Sequence, residues 1–191
     1  MRVAPLGLVG LGGEAFAAGA RAAALTHGHV TSDLSSGFLA LLISELLDGL
    51  TLDEAVAKAR AHLVGQAGCA ETLAAIDAAV EGAASAEDPY SVIGRIGSSD
   101  SEGPGGRGKG WVAEEALGIA LFCALRCRED YREAVHTAAT ITGDSDSTAS
   151  IAGAIIGARH GIDVVPVGWA DRVEDRTVLR TLADALGDEA V

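Results

Sequence analysis

Two aspartates and three hydroxyl residues crowd into GDSDST at 143–148, just ahead of a strongly apolar stretch. Side chains at i and i+2 do not face each other on a helix. Asp144 and Asp146 therefore converge only if they sit in the turn before a helix or at its first residue. Carboxylates and hydroxyls are hard oxygen donors of the kind that hold Mg²⁺, Mn²⁺ or Ca²⁺. The same groups also suit the positive end of a helix with no ion present. Read alone, the segment is either half of a metal site or a helix cap.

Other segments carry donors for an anion. GPGGRGKG at 103–110 nearly matches the phosphate-binding pattern G-x-x-x-x-G-K-[ST], but Gly110 stands where the Mg²⁺-binding hydroxyl belongs, and no buried strand precedes it. A nucleotide-hydrolysing loop is thus excluded, which leaves either a phosphate contact through backbone N–H, Arg107 and Lys109 or a plain surface loop. Trp111 follows directly, either as a core side chain or as a ring that stacks on a base. His27 and His29 flank a glycine and read either as anion donors or as helix-end groups; His62, His136 and His160 fall in helical patterns. The D-x-D-S-T letters also resemble the nucleophile loop of haloacid-dehalogenase-type phosphatases, but no lysine follows Thr148 to complete that chemistry.

These residues need a scaffold. The chain has 191 residues, 49% apolar but only 4% aromatic, so alanine, leucine and glycine make the core. That composition favours helices in close contact. Helical patterns cover 13–25, about 34–48, 52–64, 70–80, 111–128, 131–140, 148–160 and 171–186. Thr31, Ser32 and Asp33 offer caps for the second, Thr51 and Glu54 have capping-box spacing, and Asp130 and Glu133 repeat cap and N3 spacing. Ala149, Gly153, Gly157 and Gly161 line up small residues for a close helix contact. Residues 82–110 hold two of the four prolines and read as a long loop rich in Gly, Pro and Ser, with short strands conceivable at 91–93 and 164–167.

Charge and cysteines bound the partners. A net charge of −13 argues against nucleic acid. The stretch 34–50 contains Glu45 and Asp48 and falls short of the ~20 apolar residues of a membrane span, so no membrane partner is expected. Cys69, Cys123 and Cys127 form no disulfide framework, which suits a reducing cytoplasm, and Cys123 and Cys127, four apart on an expected helix, read as buried thiols. No signal peptide is apparent at the start.

Taken together, the segments resemble the ADP-ribosylglycohydrolase family, also called dinitrogenase-reductase-activating glycohydrolase-like. MRVAPLGL, LTHGHVTSD, GKGWVAEEALGIALFCAL, GDSDSTASIAGAIIGARHG and VPVGW occur in the family's order and span nearly the whole chain. The resemblance implies one all-α domain over 1–191, a compact orthogonal bundle of helices, and metal-dependent hydrolysis of an ADP-ribosyl glycosidic bond. It implies Asp144, Asp146 and Ser147 as metal ligands, and His27, Gly108, Gly110 and Trp111 as contacts to ADP-ribose or an ADP-ribosylated substrate. The cofactor would be Mg²⁺, or Mn²⁺ in its place, two ions in the complete family site. Family members also carry an N-terminal half with a Thr-Asp-Asp metal run and a catalytic carboxylate; no such run occurs here, and the chain starts at what resembles the family's middle. On this reading the N-terminal helices are lacking, the catalytic carboxylate lies outside the chain, hydrolysis is impaired, and exposed apolar surface drives self-association. The alternative is a non-catalytic ADP-ribose-binding or helical interaction module.

Overall fold

The structure, a computed structural model, describes residues 1–97 and 110–189, with side chains as far as 187. Among them there are helices and turns but no strand. The α-helices are α1 (Ala4–Gly7), α2 (Ala15–Ala24), α3 (Val30–Leu47), α4 (Leu52–Val64), α5 (Ala70–Ala84), α6 (Pro89–Ile96), α7 (Ala113–Cys127), α8 (Tyr131–Ala139), α9 (Ser145–His160), α10 (Val167–Ala170) and α11 (Arg176–Glu189). Short 3₁₀ turns precede α2 and follow α9. The fold is all-α, as the composition requires.

Helices α3 and α7 are the centre of the core. Residues 115–125 of α7 are buried without a break, and α3 buries residues on every face, including Phe38, Leu42 and Ile43. A helix that is apolar all round must be enclosed by others. Helix α3 lies against α1, α2, α4, α5, α7 and α9, and α7 lies against α5, α6, α8 and α9. By length and composition α3 could cross a membrane, but 72% of its apolar window is buried inside the protein. The packing of α2 on α3 is tight: a Cβ at Gly19 would stand 2.6 Å from the Ser36 carbonyl oxygen and 2.8 Å from Ala40 Cβ. Only a glycine fits a backbone contact of that kind.

Local signals set most helix ends. The Thr51–Glu54 capping box is formed, and the Asp130 carboxylate accepts from the Glu133 N–H at 2.9 Å. Helix α3 ends in a Schellman arrangement, with Gly49 N–H donating to Leu46 O at 3.1 Å and Leu50 N–H to Glu45 O at 3.2 Å. Its start differs from expectation. The cap is His29, whose Nδ1 accepts from Thr31 N–H at 3.3 Å, rather than Thr31, Ser32 or Asp33.

Other expectations also give way. Residues 91–93 belong to helix α6, not a strand: Asp88 accepts from Ser91 N–H at 2.9 Å, Pro89 fills the first turn, and Val92, Ile93 and Ile96 are buried on one face. The loop expected over 82–110 is thus helical over 89–96, and α5 extends to Ala84; residues 98–109 lie outside the described residues. Residues 162–164 form a 3₁₀ turn and 167–170 a helical turn, so no strand forms at 164–167. The helix expected over 171–186 starts later, as α11 at Arg176, and the short α10 precedes it. On α9, Gly153 does make a close contact, with Tyr131 Oη 2.8 Å from where its Cβ would lie, but Gly157 faces open space.

Candidate functional site

The opening motif lies at the start of α9. Asp144 is the residue before the helix, and Ser145, Asp146 and Ser147 form its first turn. Thr148 fixes this turn in place: it is fully buried, and its hydroxyl donates to the Ala138 carbonyl at the end of α8, 2.8 Å away. Asp144 occupies the capping position, yet its side chain makes no capping hydrogen bond. The bland reading of the motif, a carboxylate used up by helix N–H groups, therefore fails at the residue best placed to cap. A hydrogen bond between the two carboxyl groups, Asp144 to Asp146, together with the N–H groups of Asp146 and Ser147, holds Asp146 below the usual carboxylate range.

Gly110 brings the next segment to the motif. It has φ +61°, which a side chain would strain, and a Cβ there would come within 3.0 Å of the Thr148 methyl group. The chain thus crosses the first turn of α9 and turns into α7. Trp111 stands in this crossing with 67% of its surface exposed. The core reading of Trp111 is overturned: Val112 caps α7, and the indole lies outside the bundle.

An open cavity of about 780 Å³ runs between these elements and the start of α3. Its walls include His27, Gly110, Trp111, Asp144 and Ser147, drawn from three separate stretches of sequence. Its size falls within the ordinary range for small-molecule sites. Asp146 is exposed and stands outside the lining, beside Asp144. Gly108 lies outside the described residues.

Sequence reasoning missed three contributors. Glu114, in the first turn of α7, lines the cavity, and burial pushes its carboxyl above the ordinary glutamate range, reinforced by Glu71 and Glu115. Thr31 is buried on the same wall and donates to Glu71 at 2.6 Å. Arg2 also lines the cavity and donates to Thr26. A pair of adjacent acids in the first turn reads locally as ordinary helix-dipole complementation; only the tertiary fold turns one of them into a cavity.

As donors, Asp144, Asp146 and Ser147 fit a hard divalent cation in type, and the Asp144 carboxylate is not taken up in a helix cap. In number they supply half of such a cation's shell, and water or ligand oxygens would complete it. A hard cation takes six or more oxygens, and no group of three or more His, Cys, Asp or Glu side chains arranged to hold a metal occurs among the described residues.

Comparison with known proteins agrees with this picture. The family model described as ADP-ribosylglycohydrolase matches residues 1–191, and the chain belongs to that family. It is similar to the ADP-ribosylhydrolase ARH3 of Mus musculus, 34% identical over 89 residues, which cover 41% of this chain and 24% of that protein. The ARH3 of Homo sapiens is 33% identical over 89 residues with the same coverage, and that of Danio rerio 33% over 72 residues, 32% of this chain and 20% of the relative. The chain thus matches about a quarter of the length of these curated relatives.

Proposed function

We propose that the cavity binds the ADP-ribosyl group and that the chain serves metal-dependent hydrolysis of an ADP-ribosyl glycosidic bond. The observation that carries this reading is the meeting of His27, Gly110, Trp111, Asp144 and Ser147 on one cavity in a chain of this family. The exposed face of Trp111 offers a stacking platform for adenine. The backbone at Gly110 would lie along the adenosine or diphosphate, and His27 would donate to an oxygen of the ligand.

Asp144, Asp146 and Ser147 would hold Mg²⁺, or Mn²⁺ in its place, as half of a two-ion site. A bound ion supplies charge stabilisation and a more acidic water. The acceptor leaves the ribose as positive charge builds on the sugar ring, and the carboxylates beside the cavity favour that charge. We propose that turnover by this chain alone is low, because its three oxygens leave the ion incompletely held. The second reading is a non-catalytic ADP-ribose-binding module. With all three cysteines free, a reducing cytoplasm is the proposed compartment. Exposed Val178, Leu179 and Leu182 on α11 supply apolar surface for self-association.

The test is calorimetric titration with ADP-ribose, with and without Mg²⁺, alongside release of ADP-ribose from modified protein. Binding with slow, Mg²⁺-dependent release supports hydrolysis. Binding with no release under any metal supports the module. No binding refutes both.

A further inference from the structure

Thr26 and His27 close the last turn of α2. Their backbone N–H groups both donate to the Ala23 carbonyl, at 3.0 and 2.9 Å. This sets the two side chains next to each other, with Thr26 Oγ1 2.7 Å from His27 Nδ1. Arg2 reaches across from the start of the chain. Its Nη2 donates to the Ala22 carbonyl at 2.8 Å and to Thr26 Oγ1 at 2.5 Å. Both Arg2 and His27 line the cavity.

Donor counting together with the distances favours one state of the imidazole. A hydroxyl has one proton and two lone pairs, and a guanidinium only donates. Arg2 takes one lone pair of Thr26, and the second accepts from an Nδ1–H only if the hydroxyl proton goes to a different acceptor. Two acceptors are in reach of that proton: the Ala23 carbonyl at 3.4 Å and His27 Nδ1 at 2.7 Å. Hydroxyl hydrogen bonds favour separations of about 2.7–2.8 Å, so the proton goes to Nδ1. A neutral imidazole that accepts at Nδ1 carries its own proton at Nε2. Among the described residues Nε2 makes no hydrogen bond, which leaves that N–H for a ligand.

We propose that Thr26, oriented by Arg2, is a positioning residue that holds His27 as an Nε2–H donor on the cavity wall. The ligand atom that meets this donor is an oxygen, and the inference rests on the reading of the cavity as an ADP-ribosyl site only for the identity of that ligand. The hydroxyl is the whole device: serine keeps it, and valine keeps the shape without it.

The experiment is ¹⁵N NMR of the histidine ring nitrogens in the full chain, in wild type, Thr26→Ser, Thr26→Val and Thr26→Ala, with ADP-ribose affinity measured on each. Wild type and Thr26→Ser should show His27 protonated at Nε2 and bare at Nδ1 in neutral buffer. Thr26→Val and Thr26→Ala should shift both nitrogens toward a mixture of tautomers and weaken ADP-ribose by about 2- to 12-fold, the loss of one net hydrogen bond. Retained Nε2 protonation in Thr26→Val and Thr26→Ala, or an Nδ1–H tautomer in wild type, overturns the proposal. If no variant and no wild type binds ADP-ribose, the reading of the cavity fails, while the ring nitrogens still decide the role of Thr26.

Discussion

Replacing Trp111 with alanine separates the ligand role of this side chain from a structural one. A tryptophan removed from a core costs about 3–5 kcal/mol. Trp111 is 67% exposed and lies outside the enclosed bundle, so its removal leaves no core cavity. Stability in urea should change by no more than about 0.5 kcal/mol, as for other surface positions. Binding should respond strongly. Stacking of one base on an aromatic ring contributes about 1–3 kcal/mol, which raises the Kd for ADP-ribose about 5- to 150-fold. Ribose 5-phosphate, which lacks adenine, should bind the variant and the wild type alike. Calorimetric titration of both ligands into both proteins makes the comparison. Equal ADP-ribose affinity in the two proteins, or an equal loss for both ligands, refutes the assignment of the ring to adenine. A loss of several kcal/mol of stability refutes the exposed position.

Three further perturbations probe the scaffold and the acid groups. Gly19→Ala places a methyl group 2.6 Å from the Ser36 carbonyl, where backbone cannot yield cheaply, and should lower unfolding free energy in urea by at least about 1–3 kcal/mol. Asp144→Ala should leave the melting temperature unchanged without metal, because the side chain makes no capping bond, yet reduce any Mg²⁺-induced rise; a cap would instead lose about 1 kcal/mol with or without the ion. Glu114→Gln should alter the pH dependence of stability. Burial raises the folded-state pKa of Glu114 above its ordinary 4.5, so its contribution is fully present below that value and lost as pH rises through the folded one. The glutamine variant should therefore gain on wild type as the buffer moves from acidic to neutral, and melting temperatures that keep a constant difference across that range contradict the burial of Glu114.

Much of the scaffold is legible because its signals are local. Thr51 with Glu54, and Asp130 with Glu133, specify helix starts within four residues, and both form as read. Helix α6 escapes because eight residues are too few for a periodic pattern; its signals are Asp88 as cap, Pro89 in the first turn and the burial of Val92, Ile93 and Ile96. His29 caps α3 with a ring nitrogen, a role that the usual choice of Ser, Thr, Asp or Asn does not suggest. The residues of the cavity are legible by type and order, but their roles depend on distant parts of the chain. Whether Trp111 is core or surface is settled by where α7 enters the bundle, and Arg2 meets Thr26 across 24 residues of sequence. No short window contains either fact.

The account rests on one cavity being the ADP-ribosyl site, and the most direct test is to map backbone amide shifts in a ¹H–¹⁵N NMR titration of the chain with ADP-ribose in Mg²⁺ buffer. The account predicts saturable changes concentrated at His27, Gly110, Trp111, Asp144 and Ser147, with Phe122 and Arg126, which line a separate cavity of about 270 Å³, left unmoved. Changes centred on that second cavity, or no saturable change at all, would contradict it.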